Sequence, residues 1–390
     1  MTYFIDIAFD NIHKYGEELC GDKVEVIRTE DGVILVLADG LGSGVKANIL
    51  ATLTAKIAGT MLKEGASIEE TVDTVIQTLP VCKTRKLAYS TFTIIKVDHE
   101  GKVYTVEYDN PPYILVQNGR LVEVERRTTS IGGRMIKESN FTLGEGDVLT
   151  IISDGVVHAG VGAVLNLGWQ WQHVAEHIEK IGHVEKCAKS ISKNLIETCL
   201  GLYANKPGDD STAVAIKLRK PEIINLFTGP PKNLEDDQWV VHKLRSASGK
   251  KIVCGGTAAN IVARELREEV HVNMELIDRE IPPTARIKGI DLVTEGVLTL
   301  GKAIEKIKKY VDTTQCVDTI CNIQGKDGAS QLARMLIEDC THLNLWVGTA
   351  VNPAHQNPDF PGDLQIKRKV VEELAAMMDK LGKEVKSTFL

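Results

Sequence analysis

No apolar run among the 390 residues approaches the roughly 20 needed for a bilayer-spanning helix, so the sequence offers no membrane span of that kind. The opening residues, Met1-Thr2-Tyr3-Phe4-Ile5-Asp6, have neither the basic nor the apolar region of a secretion signal, and the expected location is cytoplasmic. Positive charge is also short. Lys and Arg number 46 against 53 Asp and Glu, giving a formal net charge of −7 and a pI near 5.9. That balance gives no electrostatic reason to bind nucleic acid or an anionic membrane. The eight cysteines lack the density and spacing of a disulfide framework. Cys20, Cys82, Cys187 and Cys199 are scattered through the first half and read as small buried residues. There is no internal repeat and no low-complexity segment.

What the chain does have is an ordinary globular composition, 43% hydrophobic and 25% charged, and length enough for two domains. It also has four aspartates at strand ends or tight turns. They are Asp22 in Cys20-Gly21-Asp22, Asp39 in Ala38-Asp39-Gly40, Asp154 in Ser153-Asp154-Gly155 and Asp209 in Gly208-Asp209-Asp210-Ser211. Val33-Ile34-Leu35-Val36-Leu37-Ala38 leads into Asp39, Val148-Leu149-Thr150-Ile151-Ile152-Ser153 leads into Asp154, and Asp209 precedes Thr212-Ala213-Val214-Ala215-Ile216. Asp-Gly is a common turn dipeptide, so each aspartate alone is readable as a turn former. Taken as a set they say more. A carboxylate at the end of a core strand is costly to desolvate unless a cation or hydrogen bonds compensate. Several such ends at one sheet edge make an all-oxygen site for hard divalent ions, Mg²⁺ or Mn²⁺. Two ions roughly 3.5–4 Å apart can activate a water for phosphoester hydrolysis.

Periodicity predicts mixed strands and helices over residues 1–219. Strands are expected at 24–28, 33–38, 90–97, 102–108, 113–117, 121–125 and 212–218. Helices are expected at about 45–63, 68–79, 169–181 and 184–201, with Ser67 capping the second and Glu69-Glu70 in its first turn. The run of adjacent strands argues for antiparallel pairing. Pro and Gly at Lys220-Pro221 and Thr228-Gly229-Pro230-Pro231 suggest a linker over 220–232. Residues 233–390 then alternate strand and helix, which predicts a smaller α/β domain with parallel strands.

With its motifs in order, the first domain resembles the metal-dependent type 2C serine/threonine protein phosphatases, specifically the bacterial SpoIIE-like branch. The matching stretches include Gly16-Glu17-Glu18-Leu19-Cys20-Gly21-Asp22, Ala38-Asp39-Gly40-Leu41-Gly42-Ser43-Gly44, Tyr89-Ser90-Thr91-Phe92-Thr93 and Asp109-Asn110-Pro111-Pro112-Tyr113. Further along come Ser130-Ile131-Gly132-Gly133, Gly144-Glu145-Gly146-Asp147, Ser153-Asp154-Gly155-Val156 and Gly208-Asp209-Asp210-Ser211-Thr212. The resemblance implies an α-β-β-α sandwich of two antiparallel sheets with metals at one end. It implies that Asp39 bridges two Mn²⁺ or Mg²⁺ ions and that the Gly40 carbonyl serves the first. Asp154 and Asp209 complete the second, with Asp210 as the alternative to Asp209, and Asp22 stands beside the first ion through water. The substrate would be a signalling phosphoprotein, with an anti-sigma-factor antagonist as the candidate. No covalent phospho-enzyme is needed, and no Cys-x5-Arg phosphate loop is present. The sequence departs from the family at Tyr108-Asp109-Asn110-Pro111-Pro112, where the usual His is missing, and at Ser211, where Met is common. Eukaryotic relatives hold phosphate with an N-terminal Arg. None precedes Arg28, so the resemblance leaves phosphate to metals and water. In this branch the helices at 45–63 and 68–79 can act as a switch over the metal site.

The second domain offers weaker signals. Cys254-Gly255-Gly256-Thr257 reads as an anion cradle at a helix start, or as a glycine turn with Thr257 as N-cap. The loop at 348–358 with His355 follows a strand, where α/β domains bind ligands. Lys302, Lys306, Lys308 and Lys309 read as a solvated helix face. A regulatory role, with a small ligand or protein partner, follows by analogy only. Two rival readings remain: a non-catalytic binding module, and a redox or metal sensor built on Cys254, Cys316, Cys321 and Cys340.

Overall fold

In the computed structural model, residues 3–78, 90–273, 283–311, 323–350 and 363–390 are described. The chain divides into two compact units, Met1–Lys220 and Pro221–Leu390.

The first unit is built on two antiparallel sheets. One has the order β1 (Phe4–Ile12), β11 (Ser211–Arg219), β10 (Val148–Ile152), β6 (Ile114–Gln117), β7 (Arg120–Val122). The other runs β2 (Asp22–Arg28), β3 (Gly32–Gly40), β4 (Ser90–Asp98), β5 (Lys102–Tyr108), β9 (Arg134–Thr142), β8 (Arg127–Ile131). Because side chains alternate along a strand, β3 serves two cores. Val33, Leu35 and Leu37 pack against Ile5, Ile7, Leu149, Ile151, Val214 and Ile216 of the facing sheet. Ile34, Val36 and Ala38 pack outward against α1 (Gly44–Lys63) and α2 (Ile68–Thr78). Ala47, Ala51, Ala55 and Ala58 make the buried face of α1, small enough to let the helix approach the sheet closely. On the opposite face of the first sheet, Ala213, Ala215 and Ile152 bury against α4 (Trp171–Gly182) and α5 (Ala188–Leu202). The result is the expected α-β-β-α sandwich.

Local chemistry sets the boundaries. Ser67 and Glu70 form a capping box at the start of α2. The Ser67 hydroxyl accepts the Glu70 N–H at 3.1 Å, and the Glu70 carboxylate accepts the Ser67 N–H at 2.9 Å. α5 is stapled to β1 by charge, with Lys189 donating to Asp10 and Ala188 N–H donating to Asp6.

The second unit carries a seven-stranded sheet in the order β14 (His271–Val272), β15 (Ala285–Arg286), β16 (Leu292–Thr294), β13 (Lys250–Cys254), β12 (Ile223–Thr228), β17 (His342–Val347), β18 (Glu384–Phe389). From β16 to β18 all neighbours are parallel. The helices are α6 (Asp236–Ser246), α7 (Gly256–Leu266), α8 (Val297–Val311), α9 (Gly328–Arg334), continued by a π turn, and α10 (Asp363–Lys380).

Several expectations change. The linker expected over 220–232 contains β12, an interior strand of the second sheet paired with β13 and β17. Its six residues lie between Pro221 and Gly229-Pro230-Pro231, so the breaks are visible and the short apolar run between them is not. The strands β1, β8, β9 and β18 and the helix α6 were not anticipated either. In β8 and β9 polar, exposed residues interrupt the apolar signal. Helix α7 begins at Gly256 with Gly255 as its N-cap, so Thr257 lies inside the first turn. Cys82, Tyr89, Cys316, Cys321 and His355 lie outside the described residues.

Candidate functional site

One end of the sandwich gathers the acids. Asp39 is the penultimate residue of β3, Asp22 opens β2, Asp154 is the first residue of the short helix α3 (Asp154–Val157) after β10, and Asp209-Asp210 precedes β11. Asp39, Gly40, Asp154, Asp209 and Asp210 line a single cavity of about 470 Å³, together with Lys14, Leu41, Gly42, Ser43, Ser90, Thr91, Tyr108 and Asp109. Asp22 is not on that lining. It sits behind the cavity, 3% exposed, opposite Asp39 in the β2–β3 ladder.

The turns leave no slack. A Cβ on Gly40 would lie 2.1 Å from the Ala47 carbonyl oxygen, so the chain can leave β3 and enter α1 in a tight loop only without a side chain there. A Cβ on Gly155 would lie 1.9 Å from the Asp210 carbonyl oxygen, so Gly155 lets α3 and the Asp209-Asp210 turn touch through their backbones. The Tyr203 hydroxyl donates to the Gly155 carbonyl at 2.8 Å, and Thr212 N–H donates to the Ser153 hydroxyl at 2.8 Å.

Negative charge crowds this end without enough compensation. Desolvation first, then the charges of Asp22 and Asp154, push Asp39 up to about 9 from an ordinary 3.8. Burial likewise raises Asp22 to about 7, outweighing the nearby Thr212 and Ser153 hydroxyls. Burial also raises Asp209 and Asp210. Neither oxygen of Asp22 makes a hydrogen bond, nor does Oδ2 of Asp210, although all three are buried. Asp210 Oδ1 accepts the Lys14 backbone N–H at 3.0 Å. Asp154, in contrast, is exposed to solvent.

These orphaned oxygens are a donor set for a hard cation. Among the described residues, however, no three acidic, His or Cys side chains close on one point as a finished ligand shell. The acids share a cavity and one another's field while standing apart, the arrangement that mutual repulsion favours. The structure brings together Asp39, Asp154, Asp209 and Asp210, keeping the last two in the same cavity, and sets Asp22 one layer back. In place of the missing His, Asn110 accepts from the Thr91 hydroxyl at 2.6 Å and donates to that of Thr93 at 3.1 Å, which ties the end of β5 to β4. Lys14, ahead of the Gly16–Asp22 motif, also stands on the cavity wall, a basic residue that no local sequence signal marks.

The cysteines of the second unit do not gather in what is described. Cys254 and Cys340 are both buried and in no disulfide, and Cys254, pushed up to about 12 by burial, accepts from the Thr294 hydroxyl at 3.3 Å. Among the described residues, no helix is long and apolar enough to cross a membrane.

Residues 29–219 match the family model described as Stage II sporulation protein E (SpoIIE). No curated protein matches the sequence. Among solved structures, the PP2C phosphatase domain with a fragment of the regulatory domain of SpoIIE from Bacillus subtilis is 18% identical at a TM-score of 0.48. That match covers 56% of this chain and 64% of the other, less than two thirds of its length. The RsbU and RsbW domains of a Mycobacterium tuberculosis protein are 19% identical at a TM-score of 0.49, over 63% of this chain and 69% of that one. RsbX in complex with magnesium is 20% identical at a TM-score of 0.40, over 55% of this chain and 95% of that one.

Proposed function

We propose that the chain, whose residues 29–219 match the SpoIIE family model, is a protein serine/threonine phosphatase dependent on Mn²⁺ or Mg²⁺. The observation that carries the reading is the convergence of Asp39, Asp154, Asp209 and Asp210 on one cavity, backed by the buried, unsatisfied Asp22 carboxylate and Asp210 Oδ2. In this reading Asp39, the Gly40 carbonyl, Asp154 and Asp209 hold two ions, with Asp210 and Asp22 supporting them. When bound, the ions supply a water of lowered pKa and offset charge on the phosphoryl oxygens.

The chain's own residues do the rest. The ladder partners of β3 fix Asp39 at a rigid strand end. Gly40 and Gly155 allow the backbones to close around the cavity. Thr91 and Asn110 order the wall where β4 begins and β5 ends. The open cavity admits a phosphorylated side chain from a protein surface. The substrate is a phosphoprotein of a signalling pathway, an anti-sigma-factor antagonist being the candidate, and the second unit is a regulatory domain for a ligand or partner. The test is Mn²⁺-dependent release of phosphate from a phosphoserine peptide. Release that EDTA abolishes and Mn²⁺ restores supports the reading. No release, together with no Mn²⁺ binding by calorimetry, refutes it and leaves a binding module.

A further inference from the structure

A phosphate ester enters this cavity against five carboxylates, those of Asp39, Asp109, Asp154, Asp209 and Asp210, and meets one basic side chain, Lys14. Resting on the phosphatase reading above, we propose that Lys14 anchors the substrate's phosphoryl group as a binding residue of the site.

Three observations point there. First, Lys14 is rigidly mounted. Its N–H donates to Asp210 Oδ1 at 3.0 Å, its carbonyl accepts the Glu17 N–H at 3.0 Å, and the next residue, Tyr15, donates its N–H to the Pro207 carbonyl at 2.8 Å. The segment after β1 is thereby strapped to the turn that carries Asp209-Asp210. Second, Lys14 lines the cavity that Asp39, Asp154, Asp209 and Asp210 also line, as the single basic residue on that wall. Third, it makes no ion pair there. Among the described residues no salt bridge or hydrogen bond engages the Lys14 Nζ, although Lys14 is half-buried. A half-buried lysine on an acidic cavity wall, with no ion pair of its own, has its ammonium available to an incoming anion.

The chemistry suits a phosphate monoester. Lys presents a compact charge with three donors on a flexible stem, able to follow a phosphoryl oxygen without the fixed geometry of a guanidinium fork. The position of the main chain does not depend on the side chain, so replacing Lys14 leaves the Asp210 contact in place.

The test uses the full chain with Mn²⁺, comparing wild type with Lys14→Ala and Lys14→Arg. Inorganic phosphate is titrated by calorimetry, and a phosphoserine peptide is assayed for kcat and KM. Loss of one charge-assisted hydrogen bond predicts phosphate affinity weakened about tenfold or more and KM raised to match in Lys14→Ala. In that variant kcat and Mn²⁺ affinity are unchanged, and Lys14→Arg recovers most of the loss. Unchanged phosphate affinity and KM in Lys14→Ala overturn the proposal. So does a loss that tracks weakened Mn²⁺ binding, because Lys14 would then act on Asp209 rather than on substrate. A wild-type chain that neither hydrolyses the peptide nor binds Mn²⁺ refutes the phosphatase reading alone, and phosphate binding in the two variants still decides the role of Lys14. Wild type that binds no phosphate overturns the role of Lys14.

Discussion

Asp22 and Asp39 are register partners, set directly opposite each other where β2 begins and β3 ends. Opposed residues of an antiparallel pair project from the same face, and like charges placed there repel. The ladder holds the two acids together all the same, through nine pairs on the other side of β3 and seven on this one. Sheet formation therefore assembles a site that its own charges oppose.

Replacing Asp39 or Asp154 by Asn removes a charge without removing volume. Mn²⁺-dependent release of phosphate from a phosphoserine peptide should fall by about 10²-fold or more in each variant, the scale for losing one preorganised electrostatic group. Thermal unfolding without metal should show Asp39→Asn at least as stable as wild type, because one member of a repelling set is gone.

The same repulsion predicts how metal-free protein responds to pH. Asp22 and Asp39 have folded pKa values near 7 and 9, above their ordinary 3.8. Between those limits the folded state holds protons that the unfolded chain has released, so stability falls as pH rises. The fall should run from about pH 4 to pH 9 and level off above it. In EDTA the melting temperature should be several degrees lower at pH 9 than at pH 6, and saturating Mn²⁺ should reverse the order.

Gly155→Ala should damage both fold and site. The added Cβ would meet the Asp210 carbonyl oxygen at 1.9 Å, so the α3 start or the Asp209-Asp210 turn has to move. A cost of about 1–3 kcal/mol is expected from overpacking. Chemical denaturation gives that cost, and calorimetry should report weakened Mn²⁺ binding.

The pair of Asp10 and Lys189 is buried on both sides, 4% and 6% exposed. Asp10→Ala removes the carboxylate that pairs the buried ammonium and should cost about 3–5 kcal/mol. Denaturant unfolding of the variant checks this. A simultaneous Lys189→Met exchange should recover much of the loss.

Much of the first unit could be read in the sequence because its central strands are continuous apolar runs. Val33–Ala38 and Val148–Ile152 are buried on both faces and announce themselves, and each points at an aspartate. Phe4–Ile12 was overlooked because Asp6, Asp10 and Asn11 interrupt it. Those acids are buried all the same, since Arg219 and Lys189 arrive from more than 170 residues away. Long-range pairing of that kind leaves no local pattern. Lys14 was passed over for the same reason. Nothing in its neighbourhood distinguishes it from a surface lysine until Asp210 is brought beside its N–H. Asp22 was identified as an acid of the site, but its place behind the cavity depends on ladder register. Ile223–Thr228 is hidden between two proline breaks, although it is a buried interior strand of its sheet.

The two glycines that close the cavity constrain its inheritance differently from the acids. A descendant that abandoned the chemistry could exchange Asp39 or Asp154 and relieve repulsion at once, keeping its sandwich intact. Gly40 and Gly155 have no such freedom, because any side chain there collides with backbone. Glycines should thus outlast aspartates in lines that drift away from catalysis. A related chain with both glycines and neither acid would be a fossil of the site rather than a chance resemblance.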